Sequence, residues 1–152
     1  MSRAEQAKEY FVQGYACSQA VALAFSDLTG LTDEQIIKLC LPFGGGFGRQ
    51  RLVCGAVSGF TVVLGLLFAE SELSSDNKMH VYKIEQKLCA DFKAQAGSLI
   101  CNDLLTGANL DFSTGGQAEE RTAEYYQKRP CAELVYIAAK VLEDYLVETG
   151  KI

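Results

Sequence analysis

The sequence is short of positive charge: 14 Lys and Arg stand against 19 Asp and Glu, a net charge of −5, and no segment carries a basic stripe. Little is available to neutralise a phosphate backbone, so nucleic acid is not an expected partner. The N-terminal residues alternate charged and small side chains, with no apolar run leading to a cleavage site. Export is therefore not expected, and the cytoplasm is the expected compartment. No segment alternates apolar and polar residues with period two, which leaves no pattern for a half-buried sheet. The six cysteines include no C-x-x-C pair, which removes the zinc-ribbon, thioredoxin and simple ferredoxin patterns. With only two prolines and 49% hydrophobic residues over 152 positions, the composition is that of a folded domain large enough to stand without staples.

What the chain does have is helical periodicity. Ala4, Ala7 and Phe11 recur on one helix face, and Cys17, Val21, Ala24, Phe25 and Leu28 on the next. Thr32 and Gln35 form a capping box that opens a helix from Asp33 to about Leu41, where Pro42 stops it. The longest charge-free run, Leu52 to Ala69, spans 18 residues, the short end of what a membrane requires. It holds Gly55, Ser58, Gly59, Thr61 and Gly65 and has no aromatic belt or flanking basic cluster. No membrane span is expected; a helix apolar all round also suits the centre of a bundle. Gly55 and Gly59, four apart, leave a groove there for a neighbouring helix. A strand over Phe60–Leu67 is the competing assignment, and it has no visible partner.

Beyond a polar break at Ser71–Asn77, Val81, Ile84, Leu88 and Phe92 mark one face of a further helix, which Gly97 and Ser98 end. A short helix from Cys101 to about Leu105 precedes the polar loop Gly107–Gly116, the expected flexible excursion or lid. Helix is expected to resume near Gln117, to break at Arg129-Pro130, and to close with Cys131, Leu134, Val135, Ala138, Val141, Leu142 and Tyr145 on one stripe. The expected fold is all-α: one domain over residues 1–152, a bundle of about six to eight helices around the central apolar helix.

Four cysteines, Cys17, Cys54, Cys101 and Cys131, each follow a turn or a proline and each fall at the expected start of a helix. There the unpaired N–H groups and the helix dipole favour negative charge, so lowered thiol pKa values are expected. Each lies on the apolar stripe of its helix, so all four are expected to point inward and meet. Four soft anions close together need a cation, and thiolate sites suit an iron-sulfur cluster or zinc.

The segment Cys54-Gly55-Ala56-Val57-Ser58-Gly59 is a CGAxxG box, preceded by Phe43-Gly44-Gly45-Gly46-Phe47-Gly48 and by Cys17, and followed by Cys101-Asn102-Asp103-Leu104-Leu105 and the Cys131 helix. In this order and spacing the chain resembles the C_GCAxxG_C_C family of putative redox-active proteins, over essentially its whole length. The resemblance implies that Cys17, Cys54, Cys101 and Cys131 are the functional set and that Cys40 and Cys89 lie outside it. It further implies a redox role, in a family whose members are often encoded near transporter genes and whose segments recur in multi-domain redox proteins.

Three readings of the four cysteines follow. The leading one is a metal centre, an iron-sulfur cluster or another thiolate-bound metal, held by Cys17, Cys54, Cys101 and Cys131 for electron transfer or sensing. The second is a metal-free thiol-disulfide protein in which the same cysteines are the redox thiols, with a pair such as Cys54 and Cys17 cycling. The third is a structural zinc module, ranked lower because a core of this size stands without metal. Gly44, Gly45, Gly46, Gly48 and Gly55 are expected to let backbone groups approach the cofactor. A phosphate cradle at this glycine stretch, with Arg49 and Arg51 after it, lacks the Walker lysine and the preceding strand. His80 is expected on a helix surface, and Glu119, Glu120 and Glu124 on a solvated helical face. An unidentified redox partner is expected, and self-association into a homodimer is compatible with a small helical protein.

Overall fold

The computed structural model describes residues 1–108 and 113–152. The fold is all-α: α1 (Arg3–Val12), α2 (Cys17–Leu23), α3 (Ser26–Thr29), α4 (Asp33–Cys40), a 3₁₀ turn at Leu41–Phe43, α5 (Gly44–Phe47), α6 (Gly55–Phe68), α7 (Ser75–Ala96), α8 (Cys101–Gly107), α9 (Ala123–Lys128) and α10 (Cys131–Glu148). Local chemistry sets the ends. Ser2 and Glu5 close a capping box on α1, and Thr32 and Gln35 close the expected one on α4, with Gln35 N–H donating to Thr32 Oγ1 at 3.2 Å and Thr32 N–H to Gln35 Oε1 at 2.9 Å. Ser74 caps α7 and Thr122 caps α9, while Gly97 ends α7 in the left-handed conformation.

The apolar helix α6 is the hub, packed against α2, α7 and α10, and α10 also lies along α1. Phe60 of α6 meets Phe92 of α7 edge-on, with ring centroids 6.5 Å apart. The groove left by Gly55 and Gly59 takes α2. A Cβ on Gly59 would lie 2.7 Å from the Ser18 carbonyl oxygen and 3.0 Å from Val21 Cβ. Buried polar groups tie α2 to the end of α4, with Ser18 Oγ donating to the Cys40 carbonyl at 2.6 Å and Gln19 Nε2 to the Ile37 carbonyl at 2.9 Å. Among the described residues no helix is long and apolar enough to cross a membrane.

The structure departs from the sequence-based expectations in several places. The helix expected over Cys17–Leu28 breaks after Leu23, and α3 is a separate turn. Phe25 leaves helical geometry at φ −120°, ψ 9°, and Arg3 holds the break by donating to the Ala24 carbonyl at 2.7 Å and pairing with Asp27 at 2.6 Å. Helix resumes at Ala123 rather than near Gln117, because Thr122 supplies the first cap. The charge-free run turns helical only at Gly55. Its first residues are extended instead, with Val53 and Ile100 forming an isolated antiparallel bridge. Of the loop expected over Gly107–Gly116, residues 109–112 lie outside the described residues. Its described part is tied down, Arg49 and Arg51 both donating to it.

These contacts make a paired expectation. Gly59→Ala is expected to destabilise the protein by about 1–3 kcal/mol, since a backbone oxygen blocks the new methyl. Gly65→Ala on the same helix, with nothing within 4 Å of the added Cβ, is expected to stabilise by about 0.5–1 kcal/mol. Urea unfolding of both variants checks the pair, and equal effects would contradict the packing of α2 into the groove.

Candidate functional site

Each of the four cysteines sits where a helix begins. Cys17, Cys101 and Cys131 are the first residues of α2, α8 and α10, and Cys54 is the residue that caps α6. Two features bring separate helix starts together. The bridge between Val53 and Ile100 is continued by Cys54 N–H donating to the Leu99 carbonyl at 2.8 Å and Cys101 N–H to the Leu52 carbonyl at 2.6 Å, so the starts of α6 and α8 are locked side by side. Glycines do the rest. The thiol of Cys17 lies against Gly55, where a Cβ would stand 3.2 Å from Cys17 Sγ and 3.1 Å from the Phe43 carbonyl.

The result is one cavity of about 230 Å³ that all four cysteines line. Cys54 is buried, the other three are partly buried, and all are free thiols. Cys40 and Cys89 are not part of the lining; Cys40 packs in the core and Cys89 on α7 against Glu85. Of the glycines expected to face a cofactor, Gly44, Gly45 and Gly55 line the cavity and Gly46 and Gly48 do not. Gly46, at φ +73°, packs behind Cys101 instead, and the Cys101 Cβ would be 2.9 Å from a methyl added there.

Burial overrides the expected acidity of Cys54, Cys101 and Cys131. It raises Cys131 to about 12, with the charge of Cys17 adding to the effect and Arg129 opposing it. Cys54 is pushed well above the usual thiol range by burial first and by Cys17 next, while the first-turn amides of Ala56 and Val57 pull the other way without prevailing. Cys101 is raised by burial too, tempered by Arg51, whose Nη1 lies 3.8 Å from Cys101 Sγ. The helix starts do favour the thiolate, but desolvation and repulsion between neighbouring sulfurs are larger. At neutral pH Cys54, Cys101 and Cys131 are held protonated.

The cavity also contains residues that no sequence pattern singles out. Arg121 and Arg129 line it beside Arg49 and Arg51, with Tyr125 and Glu119. Arg121 stacks on the Phe11 ring at 4.3 Å and donates to the carbonyls of Phe11 and Tyr15 at 3.1 and 3.2 Å, and Arg129 lies over Tyr125 at 5.0 Å. Glu119, expected on a solvated helix face, precedes α9 and pairs with Arg129 at 3.2 Å. Glu120 and Glu124 are exposed and His80 lies on the surface of α7. No spacing in the sequence marks Arg121 or Arg129 as a pair. The one local signal is that Arg129 precedes Pro130-Cys131.

Among the described residues, no group of three or more His, Cys, Asp or Glu side chains is arranged to hold a single metal ion.

A helical bundle whose helix starts deliver four free cysteines into one cavity defines the class of this protein. The chain belongs to the C_GCAxxG_C_C family: residues 15–145 match the family described as "Putative redox-active protein (C_GCAxxG_C_C)". Comparison with curated proteins and with solved structures gives no match.

The raised thiols set a pH dependence. In the metal-free protein Cys131 keeps its proton up to about 12 when folded, whereas the reference thiol loses it at 9.0. The folded state therefore binds more protons in that window, and the stability this thiol contributes is present below it and lost as pH rises. The loss is up to about 1.4 kcal/mol per pH unit for one thiol so held. Urea unfolding at about pH 8 and about pH 10 is expected to show a smaller fall in stability for Cys131→Ser than for the wild type. An equal fall would contradict the assignment.

Proposed function

We propose that Cys17, Cys54, Cys101 and Cys131 act as one redox site by holding a thiolate-bound polynuclear metal centre, an iron-sulfur cluster, for electron transfer or sensing in the cytoplasm. The observation that carries this reading is the convergence of four unpaired thiols, from four separate helix starts, on one cavity. A purely soft donor set suits iron-sulfur chemistry. The cavity, about 230 Å³, exceeds the roughly 150 Å³ that admits a benzene molecule, so it has room for a polyatomic group. A structural zinc module ranks lower, because a core of 152 residues stands without metal. Cys17, Cys54, Cys101 and Cys131, which line one cavity, would hold an iron-sulfur centre.

When bound, such a group supplies a reversible one-electron couple. The chain's part is to present the four sulfurs, to give up their protons as the cation arrives, and to keep bulk water from the sulfurs through their burial. Arg51 places a positive charge beside Cys101, which favours the more negative, reduced state of anything held there.

A second reading keeps the same cysteines and dispenses with the metal. Cys17, Cys54 and Cys131 line the same cavity, which would let Cys17 exchange with either of the others. Burial keeps the proton on Cys54 and Cys131, and neutral thiols are slow nucleophiles, which ranks this reading second.

Purification without oxygen is expected to yield protein with iron, acid-labile sulfide and visible absorption. The quadruple Cys17, Cys54, Cys101 and Cys131 to Ser variant is expected to lose all three while keeping its helical circular dichroism. Native protein devoid of iron and sulfide would overturn the metal reading and favour the dithiol one.

A further inference from the structure

One side of the cysteine cavity is a cover. Ala118, Glu119, Arg121, Tyr125 and Arg129 line the cavity from residues 116–129, and no residue of that segment is buried. Apart from the half-buried rings of Tyr125 and Tyr126, α9 lacks the buried face that holds most helices in place. Among the described residues, every hydrogen bond from 116–129 to the rest of the chain is made by the side chain of Arg121 or Tyr126. Arg121 donates to the Phe11 and Tyr15 carbonyls at 3.1 and 3.2 Å, and its guanidinium lies 4.3 Å from the Phe11 ring centroid. Tyr126 Oη shares its proton between the Phe11 and Val12 carbonyls, at 3.3 and 3.0 Å, and its ring meets Phe11 edge-on at 5.8 Å. Both side chains grip the C-terminal end of α1. The last carbonyls of a helix lack helical partners, and α1 has no basic residue in its last turn. Arg121 brings there the cation that the negative end of the helix dipole favours.

Outside this clasp the segment is fixed at both ends. Gly115 N–H donates to the Arg49 carbonyl at 2.7 Å, and Arg49 donates back to the Gly115 carbonyl at 3.0 Å and to Ser113 Oγ at 2.6 Å. Gly116 follows at φ +66°, a backbone position free to turn. At the other end Arg129 has left helical geometry, at φ −88°, ψ 136°, and the Pro130 carbonyl accepts from Leu134 N–H at 3.0 Å in the first turn of α10. A segment anchored at two ends and clasped once between them moves as a unit when the clasp opens. With so few buried contacts it belongs to the least stable part of the fold. The loop expected as a lid, Gly107–Gly116, is by contrast fastened to Arg49 at its described end.

We propose that residues 116–129 are a hinged lid over the cysteine cavity, latched to the C-terminal end of α1 by Arg121 and Tyr126, and that its opening controls access to the thiols. The inference concerns entry, and it holds whichever chemistry the cysteines serve. Amide hydrogen exchange of the protein as purified, located by peptide mass spectrometry, is the first readout. Arg121→Gln loses charge-assisted bonds to two carbonyls and is expected to speed exchange over 116–129 about tenfold, with the middle of α10 unchanged. Tyr126→Phe keeps the ring and loses only the hydroxyl, so a smaller rise of about threefold is expected. The second readout is alkylation of the reduced, metal-free protein by iodoacetamide, resolved cysteine by cysteine. Both variants are expected to speed labelling of Cys17, Cys101 and Cys131 by the same factors and to leave Cys40, which is fully buried outside the cavity, at its wild-type rate. Acceleration that includes Cys40 would report general unfolding and overturn the latch. Faster exchange without faster labelling of the cavity cysteines would overturn the control of access, and no change in either readout would overturn the lid itself. Absence of iron and sulfide from the native protein would leave both readouts intact, so the lid and the metal reading fail separately.

Discussion

The site depends on the cost of putting negative charge on buried sulfur. Four helix starts offer dipoles and open N–H groups that would make four acidic thiols at a surface. Gathered in one cavity, the sulfurs lose water and feel one another, and both effects keep the proton on Cys54, Cys101 and Cys131. A buried thiol of this kind is a poor nucleophile and a good reserve ligand. It ionises when something positive replaces the lost hydration, which is the condition that a metal centre meets.

The scaffold around the cysteines is built to bring backbone close. The turn before α6 runs through left-handed conformations at Gly45, Gly46 and Gly48, and also at Phe47, Arg49 and Arg51, where a side chain makes that geometry unfavourable. Strain of this type persists when the surroundings fix it. Here the surroundings are the Gly115 and Ser113 contacts of Arg49 and Arg51 and the pairing of residues 51–54 with 99–102. The same turn thus aims Arg51 at Cys101, lines the cavity with Gly44 and Gly45, and leaves Gly46 as a seat for Cys101.

Much of this was legible in the residues themselves. The helical stripes, the Thr32–Gln35 cap, the glycine groove of α6 and the helix-start positions of the four cysteines follow from spacing and local chemistry, and the structure has each of them. The split at Phe25 was not legible, because it depends on Arg3 reaching across from α1. Nor was the late start of α9, or the bridge at Val53, which needs a partner 47 positions away. The acidities of Cys54, Cys101 and Cys131 were misjudged because dipoles can be read from sequence position whereas burial is a property of the assembled cavity. The arginines were missed for a related reason: Arg121 and Arg129 enter the site from the flanks of α9, and only folding brings them to the cavity that Cys17 and Cys101 line.

The central proposal is that four cysteines, and not the other two, work as one redox unit. An anaerobic equilibrium redox titration followed by absorption tests it most directly, in the wild type and in the six single Cys→Ser variants. The account predicts a reversible transition that is lost or shifted by substitution of Cys17, Cys54, Cys101 or Cys131 and is left in place by Cys40→Ser and Cys89→Ser. A transition indifferent to any two of the four, or absent from the wild type, would contradict it.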